Sequence, residues 1–251
     1  MAERSFAADD TLIAPDDASA TTAQPDGDAA AAPDLRAALR HATAELHGHL
    51  DRAPDQRALL AADITLQRYT AIMAKHHHAL ALSEAALASL EPARPSDLPP
   101  YRPRLPALDA DLATLSVAGY STVQPGAYDV PSAEPAPAMD PSVARGRYLG
   151  TRYVLEGSTQ GATAIVRRLE RHLPELSANA FAYWRVQAEE VPAWQALVLS
   201  LASLPARGEL ASAAVAAARD AFGAFLRTFG VDAPEPSRTS VADGPRLRAR
   251  P

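Results

Sequence analysis

The residues whose type and spacing could do chemistry are one histidine, His47, a run of three, His76-His77-His78, and two glycines, Gly157 and Gly161, one helical turn apart. The glycines interrupt an otherwise good helix pattern, Arg147–Ala162 (RYLGTRYVLEGSTQGA), with a third, Gly150, two turns earlier. Each glycine inside a helix costs about 1 kcal/mol relative to alanine. A helix that accepts this repeatedly packs closely on a neighbour, bends, or lets something approach its backbone. His47 falls about 100° from the centre of the apolar stripe of its own helix, beside Thr43 and Leu50. A side chain on that flank can face a pocket bordering the core. A neutral imidazole there offers one lone pair to a metal, while its other N–H needs an acceptor, with Glu45 or acids on nearby helices as candidates.

The triple histidine reads differently. Consecutive helical residues point in three directions, so they cannot converge on one ion. His76 and His77 flank an apolar stripe and His78 points outward. Glu84 lies two turns after His77, and ordinary packing is favoured over a His77–Glu84 contact.

The elements that must position these residues are helical. Asp34 can cap a helix to about Asp51 with Leu35, Leu39, Ala42, Leu46 and Leu50 on one stripe. Leu66, Tyr69, Met73, Leu80 and Leu87 form a second stripe. Further helices are expected over about 108–115, 142–171 with a break at the glycines, 178–188, 192–203 and 207–229. Nothing alternates with period two, so the fold class is all-α, a compact multi-helix bundle. Pro-rich breaks fall near Glu91–Pro106 and Gln124–Pro141, the second long enough to be functional or mobile. Residues 1–33 and 233–251 lack periodicity and read as disordered tails around a 34–232 domain.

Composition narrows the chemistry. The chain has 251 residues, 47% of them hydrophobic, enough for one domain with a proper core. It has no cysteine, which excludes disulfides, thiolate metal sites, iron–sulfur clusters and a cysteine nucleophile. No apolar run approaches the ~18–20 residues of a membrane span. The N-terminus lacks the basic region of a signal peptide, and a cytoplasmic location is expected. Of the net charge of −6, residues 1–33 carry −6 and residues 233–251 carry +2, leaving −2 on the core. That balance gives no reason to expect nucleic acid. Lys75 is the one lysine, so cationic contacts fall to arginines, which suit carboxylates.

Leu39–His47 (LRHATAELH) together with the Arg147–Ala162 stretch resembles the haem oxygenase family. The first matches its LR-x-AT-x-x-x-H helix, and the second its glycine-kinked distal helix. The wording YVLEGS is similar to the bacterial branch whose genes accompany bacteriophytochromes. The likeness extends to Arg104–Leu115 (RLPALDADLATL), to a Tyr69…Glu84 helix and to Trp194, covering about Asp34 to Gly230. The resemblance implies a haem-oxygenase-like bundle with haem as both substrate and cofactor. It implies His47 as the proximal iron ligand, and Gly157 and Gly161 as the backbone that makes room for iron-bound dioxygen. Ser158, where mammalian relatives place a carboxylate, would hold an ordered water. Ala162 stands where the family often has a further glycine. Arg40 matches the basic position before the proximal histidine and would meet a propionate. Arg185 is a weaker propionate candidate, Arg167 and Arg168 are solvent-facing, and Tyr153 lines the distal side.

The implied reaction is cleavage of haem with O2 and external electrons to biliverdin, carbon monoxide and ferrous iron. Without cysteines or a strand-linked GxGxxG the chain shows no internal electron store, so a ferredoxin or similar reductase system is expected as donor. A bacteriophytochrome is the implied biliverdin acceptor. Two alternatives stay open on the sequence. One is a haem-binding protein without turnover on the same fold. The other is a diiron oxygenase using Glu45, His77 and Glu84, which lacks the repeated E-x-x-H pairs such a site needs.

Overall fold

The computed structural model describes residues 33–117, 119, 139–176 and 178–232. The expected tails, except residue 33, and most of the second Pro-rich connection lie outside the described residues. The first helix, α1 (Leu35–Asp51), starts where Asp34 accepts a hydrogen bond from the Ala37 N–H at 2.7 Å. A short α2 (Pro54–Ala58), not anticipated, follows. Thr65 caps α3 (Leu66–Ser89), the helix that carries the histidine run. Next come α4 (Leu105–Val117), then α5 (Pro141–Gly157), which begins with Asp140 as cap and Pro141 in its first turn. The chain continues through α6 (Thr159–His172), α7 (Ala182–Glu189), α8 (Val191–Ala202) and α9 (Gly208–Thr228). Among the described residues there is no β-strand; one isolated bridge, Asp34 with Pro205, ties the start of α1 to the α8–α9 connection. The fold is all-α, as the periodicity predicts.

At the centre α5 lies against α9. The contact is close because both helices present small residues there. Gly146 and Gly150 of α5 face the backbone of α9 at Leu210 and Ala214. Ala211, Ala214, Ala218 and Ala221 line the opposing face of α9. A Cβ on Gly150 would collide with the Ala214 carbonyl. These two glycines serve helix-on-helix packing. Apolar side chains fill the space on both sides of the pair. One cluster gathers Tyr69, Ile72, Leu112, Leu155 and Leu169; another gathers Leu35, Leu39, Leu149, Leu197 and Phe222.

One fully buried charged pair lies on α5. Arg152 donates to Glu156 at 2.8 Å one turn along α5, and reaches the Pro99 carbonyl and the Tyr148 hydroxyl. Burial pushes the Glu156 carboxyl up, and the adjacent guanidinium opposes that. The pair fixes the Leu98–Pro103 connection onto α5 immediately before the glycine break.

Candidate functional site

α5 ends at Gly157 and α6 begins at Thr159, so the break expected at the glycines is present. It is a gap of one residue, Ser158, which keeps helical dihedrals of φ −65° and ψ −14°. Gly157 does not adopt a left-handed conformation; the described glycines with positive φ are Gly119, Gly208 and Gly230. Its value is space. A Cβ there would meet nothing within 4 Å except the Trp194 ring at 3.8 Å.

That space is the edge of a cavity of about 210 Å³. α1 supplies Thr43, His47, Leu50 and Asp51 to its wall. The α5–α6 break supplies Tyr153, Val154, Leu155, Gly157 and Ser158. The remaining wall is largely aromatic, with Tyr183 and Trp184 of α7, Trp194 of α8, and Phe222 and Phe225 of α9. A larger groove of about 290 Å³ between α3, α5 and α9 has no imidazole and none of the unpartnered buried polar atoms in its wall. The candidate site is therefore the smaller cavity, which holds imidazoles and unpartnered buried polar atoms.

His47 is about one-third exposed at the cavity wall, and its ring meets Phe222 edge-on at 5.8 Å. Its Nδ1 lies 2.8 Å from Asp51 Oδ2, one turn further along α1. The contact is a short charge contact and not an aligned hydrogen bond; a carboxylate there favours the N–H on Nδ1 and leaves the lone pair on Nε2. Among the described residues Nε2 has no protein partner. Glu45, offered by sequence as an acceptor, is exposed on another face. Asp51 was legible as the i+4 neighbour and was not singled out.

The other expected site residues divide. Tyr153, Gly157 and Ser158 line the same cavity as His47. Arg40 is exposed on α1, and its charge, with that of Arg36, bears on the Tyr153 hydroxyl at the cavity. Gly161 is buried one turn into α6 and is not in the cavity wall. Arg185 is not in that wall either; it pairs with Glu170 at 2.5 Å. Arg167 and Arg168 are exposed.

The histidine run separates as helical geometry requires, but it is more buried than its flanking position implies. His77 Nε2 is 2.9 Å from Asp109 on α4. Glu84 accepts from the Tyr101 hydroxyl and from the Arg104 and Leu105 backbone N–H groups at the start of α4, so it makes no contact with His77. His78 is half-buried rather than outward-pointing. His76 is the unexpected member. It lines the cavity inside a cage of Tyr183, Trp184, Phe225 and Phe229, with Gln56 at 3.4 Å from Nε2. No group of three or more potential metal ligands occurs among the described residues.

Residues that sequence reasoning missed close the back of the break. Arg104, 1% exposed, lies where α5 ends. Its Nη1 donates to the Leu155 carbonyl, one of those the helix end leaves unpaired, and reaches Ser158 Oγ at 3.2 Å and Gln187 Oε1 at 3.3 Å. Ser158 Oγ is 2.7 Å from the Leu155 carbonyl and also against Gln187 Oε1. The serine thus bonds its own helix backbone and meets the Gln187 carboxamide. Asp111 of α4 anchors α7 by accepting from the Ala182 and Tyr183 N–H groups at 2.8 and 2.9 Å.

Burial pushes the His76 imidazole down to about 3 and the Asp111 carboxyl up to about 7. The two act oppositely on stability. As pH falls below the ordinary 6.5, the unfolded chain takes a proton that folded His76 refuses until about pH 3. Its contribution is therefore complete above 6.5 and is lost toward 3. As pH rises above 3.8, unfolded Asp111 releases a proton that the folded protein retains until about 7, so its contribution is complete below 3.8 and is lost through 7. Urea midpoints measured from pH 4 to 8 should show His76→Phe with less acid-side loss than wild type. Asp111→Asn should show less loss toward pH 7. Parallel profiles for all three proteins would contradict these assignments.

The haem oxygenase family model (Heme oxygenase) matches residues 33–230. The chain is also 30% identical over 181 residues to a protein named Heme oxygenase from Xanthomonas campestris pv. campestris (strain 8004), an alignment covering 70% of this chain and 98% of that protein.

Proposed function

The chain belongs to the haem oxygenase family, and from that premise we propose that it cleaves haem with O2 and external electrons to biliverdin, carbon monoxide and ferrous iron. The observation that carries this reading is His47, held at Nδ1 by Asp51, in one cavity with the Gly157 break. The residues fit the group. The wall is apolar and aromatic, as a porphyrin requires, with few polar atoms. His76 Nδ1, Trp184 Nε1 and Gln187 Nε2 are buried there without protein partners.

His47 Nε2 would hold the iron, with the Asp51 carboxylate beside Nδ1 favouring the tautomer that leaves Nε2 free. Gly157 adds no side chain of its own to the wall, where the Trp194 ring is its neighbour. Phe222 and Phe225 of the wall would keep water from a bound porphyrin. Burial holds the Tyr153 hydroxyl protonated, so it serves as a donor. Arg40, exposed on α1, would meet a propionate. When bound, haem supplies the iron that activates oxygen and the ring that is opened.

Electrons come from outside, because the sequence has no cysteine for an iron–sulfur cluster. A ferredoxin with its reductase fits as donor, docking where exposed arginines border the cavity, and its effect weakens as salt rises. A bacteriophytochrome is the proposed acceptor of biliverdin. Among the described residues no helix is long and apolar enough to cross a membrane.

Both tryptophans of the chain, Trp184 and Trp194, line the cavity. Titration with hemin should therefore quench most of the intrinsic tryptophan emission as a Soret band develops. Ascorbate, or ferredoxin with its reductase and NADPH, should then bleach that band in air and yield biliverdin. Emission that hemin leaves unchanged sinks the assignment of this cavity. Quenching without ring cleavage under any donor identifies a haem-binding protein instead.

A further inference from the structure

Among the described residues α8 is the one α-helix that carries no charged side chain, and the sequence stays uncharged from residue 191 to residue 206. A surface helix ordinarily turns a polar, charged face to water. The outward positions of α8 are instead Pro192, Gln195, Leu199 and Ala202. Leu199 is 73% exposed, and among the described residues the one other large apolar side chain so open is Val117, at the end of α4. By helical periodicity Trp194, Val198 and Leu199 step round α8 from the cavity wall to solvent, as one apolar surface.

Cations flank this surface. Arg36, Arg40, Thr43 and His47 follow one another at helical spacing on one stripe of α1. The charges of Arg36 and Arg40 reach the Tyr153 hydroxyl, and the Tyr153 ring lies 5.4 Å from that of Trp194 on α8. Arg207 is exposed directly after the uncharged run. Among the described residues neither Arg40 nor Arg207 makes an ion pair. The face is small. A helix of this length is about 18 Å long and offers on the order of 200 Å² on one side, about a quarter of the ~800 Å² that each partner of a stable complex buries. It suits a short segment already tethered nearby better than a separate chain.

Such a segment enters there. The Leu35 N–H donates to the Leu204 carbonyl at 2.8 Å, and the Ala206 N–H to the Pro33 carbonyl at 3.1 Å. Residues 1–32 therefore join the domain at the end of α8, about 8 Å along the helix from Leu199. They hold seven acids against Arg4, and their one adjacent pair of large apolar residues is Leu12 and Ile13. Acid pairs bracket it, Asp9 and Asp10 before, Asp16 and Asp17 after. Ile13 is 20 positions before Pro33, and a coil of that length spans roughly 25 Å, enough to return to α8. We propose that residues 9–17 (DDTLIAPDD) dock on this face, Leu12 and Ile13 against Val198 and Leu199, the acid pairs toward Arg40 and Arg207. Tethering supplies an effective concentration on the order of mM, so a few weak contacts suffice. The inference does not depend on the haem reading of the cavity.

The test uses the full chain before hemin is added. The sequence has no cysteine, so Ala14→Cys places a nitroxide spin label at one position beside Leu12 and Ile13. Methyl signals of Val198 and Leu199 should broaden strongly, and those of Leu115 on α4 much less. In the same labelled chain Leu12→Asp with Ile13→Asp should cut the broadening at Val198 at least about twofold, because the tether remains and the docking contact is lost. Leu199→Asp, at an exposed position, should do the same, and added salt should weaken the effect. The two tail substitutions leave residues 33–232 unaltered, so a change cannot be ascribed to an unfolded domain. Equal broadening with and without them would reflect tethering alone and overturn the proposal. Broadening centred on another face would also overturn it. So would broadening carried between molecules in a mixture of spin-labelled and isotope-labelled protein, which would place the segment on a second copy.

Discussion

His47→Ala is expected to lose haem turnover while keeping a folded helical domain. The side chain is partly exposed at a cavity wall, so its removal leaves no large void in the core. What disappears is the one imidazole nitrogen in the cavity that is both oriented by a carboxylate and unpartnered. The Soret band of the hemin complex should shift and weaken, and exogenous imidazole should partly restore it. Asp51→Ala gives the graded version of the same effect. Loss of an outer hydrogen-bond partner of a metal ligand typically costs roughly 10–100-fold in affinity or activity. The expected order is therefore wild type, Asp51→Ala, His47→Ala, with His77→Ala close to wild type because His77 pairs with Asp109 outside the cavity. A wild-type spectrum and activity in His47→Ala would refute the ligand assignment.

Leucine placed at two glycines of the same helix should give opposite results. At Gly150 the new Cβ runs into the Ala214 carbonyl, backbone that cannot swing aside. Overpacking of this kind costs about 1–3 kcal/mol and occasionally more, against a typical total stability of about 5–15 kcal/mol. Gly150→Leu should therefore be poorly folded or melt far below wild type, and Gly150→Ala should already be destabilised despite alanine's better helix propensity. At Gly157 a Cβ finds only the Trp194 ring at ordinary contact distance. Gly157→Leu should fold, with wild-type circular dichroism, and fill the cavity that hemin needs. Hemin would no longer quench tryptophan emission. A destabilised Gly157→Leu that still bound hemin would mean the break serves packing alone.

Much of this was readable from sequence because the signals were local. Asp34 begins α1 where its side-chain oxygen meets a free N–H group, and the apolar stripe of α1 puts Leu35, Leu39 and Leu46 inside as its period requires. The LR-x-AT-x-x-x-H spacing and the glycines located His47 and the break because each lies within a few residues on one helix. What escaped depends on contacts between distant segments. Arg104, Ser158 and Gln187 belong to three different elements, and no pattern within any of them marks the others. The cage around His76 is likewise built from α3, α7 and α9, so a histidine beside an apolar stripe was underestimated as to burial. The four glycines Gly146, Gly150, Gly157 and Gly161 look alike in sequence. What faces each one, α9 backbone for the first two and a cavity for the third, is a property of the assembled bundle.

The central claim is that haem occupies the cavity between α1 and the α5–α6 break, with its iron on His47. A crystal structure of the hemin complex tests it most directly. The account predicts iron bonded to His47 Nε2, Nδ1 still on Asp51, Gly157 over the open face and Arg40 at a propionate. Hemin seated in the groove by Arg147 and Asp220, or iron bonded to His76 in place of His47, would contradict it.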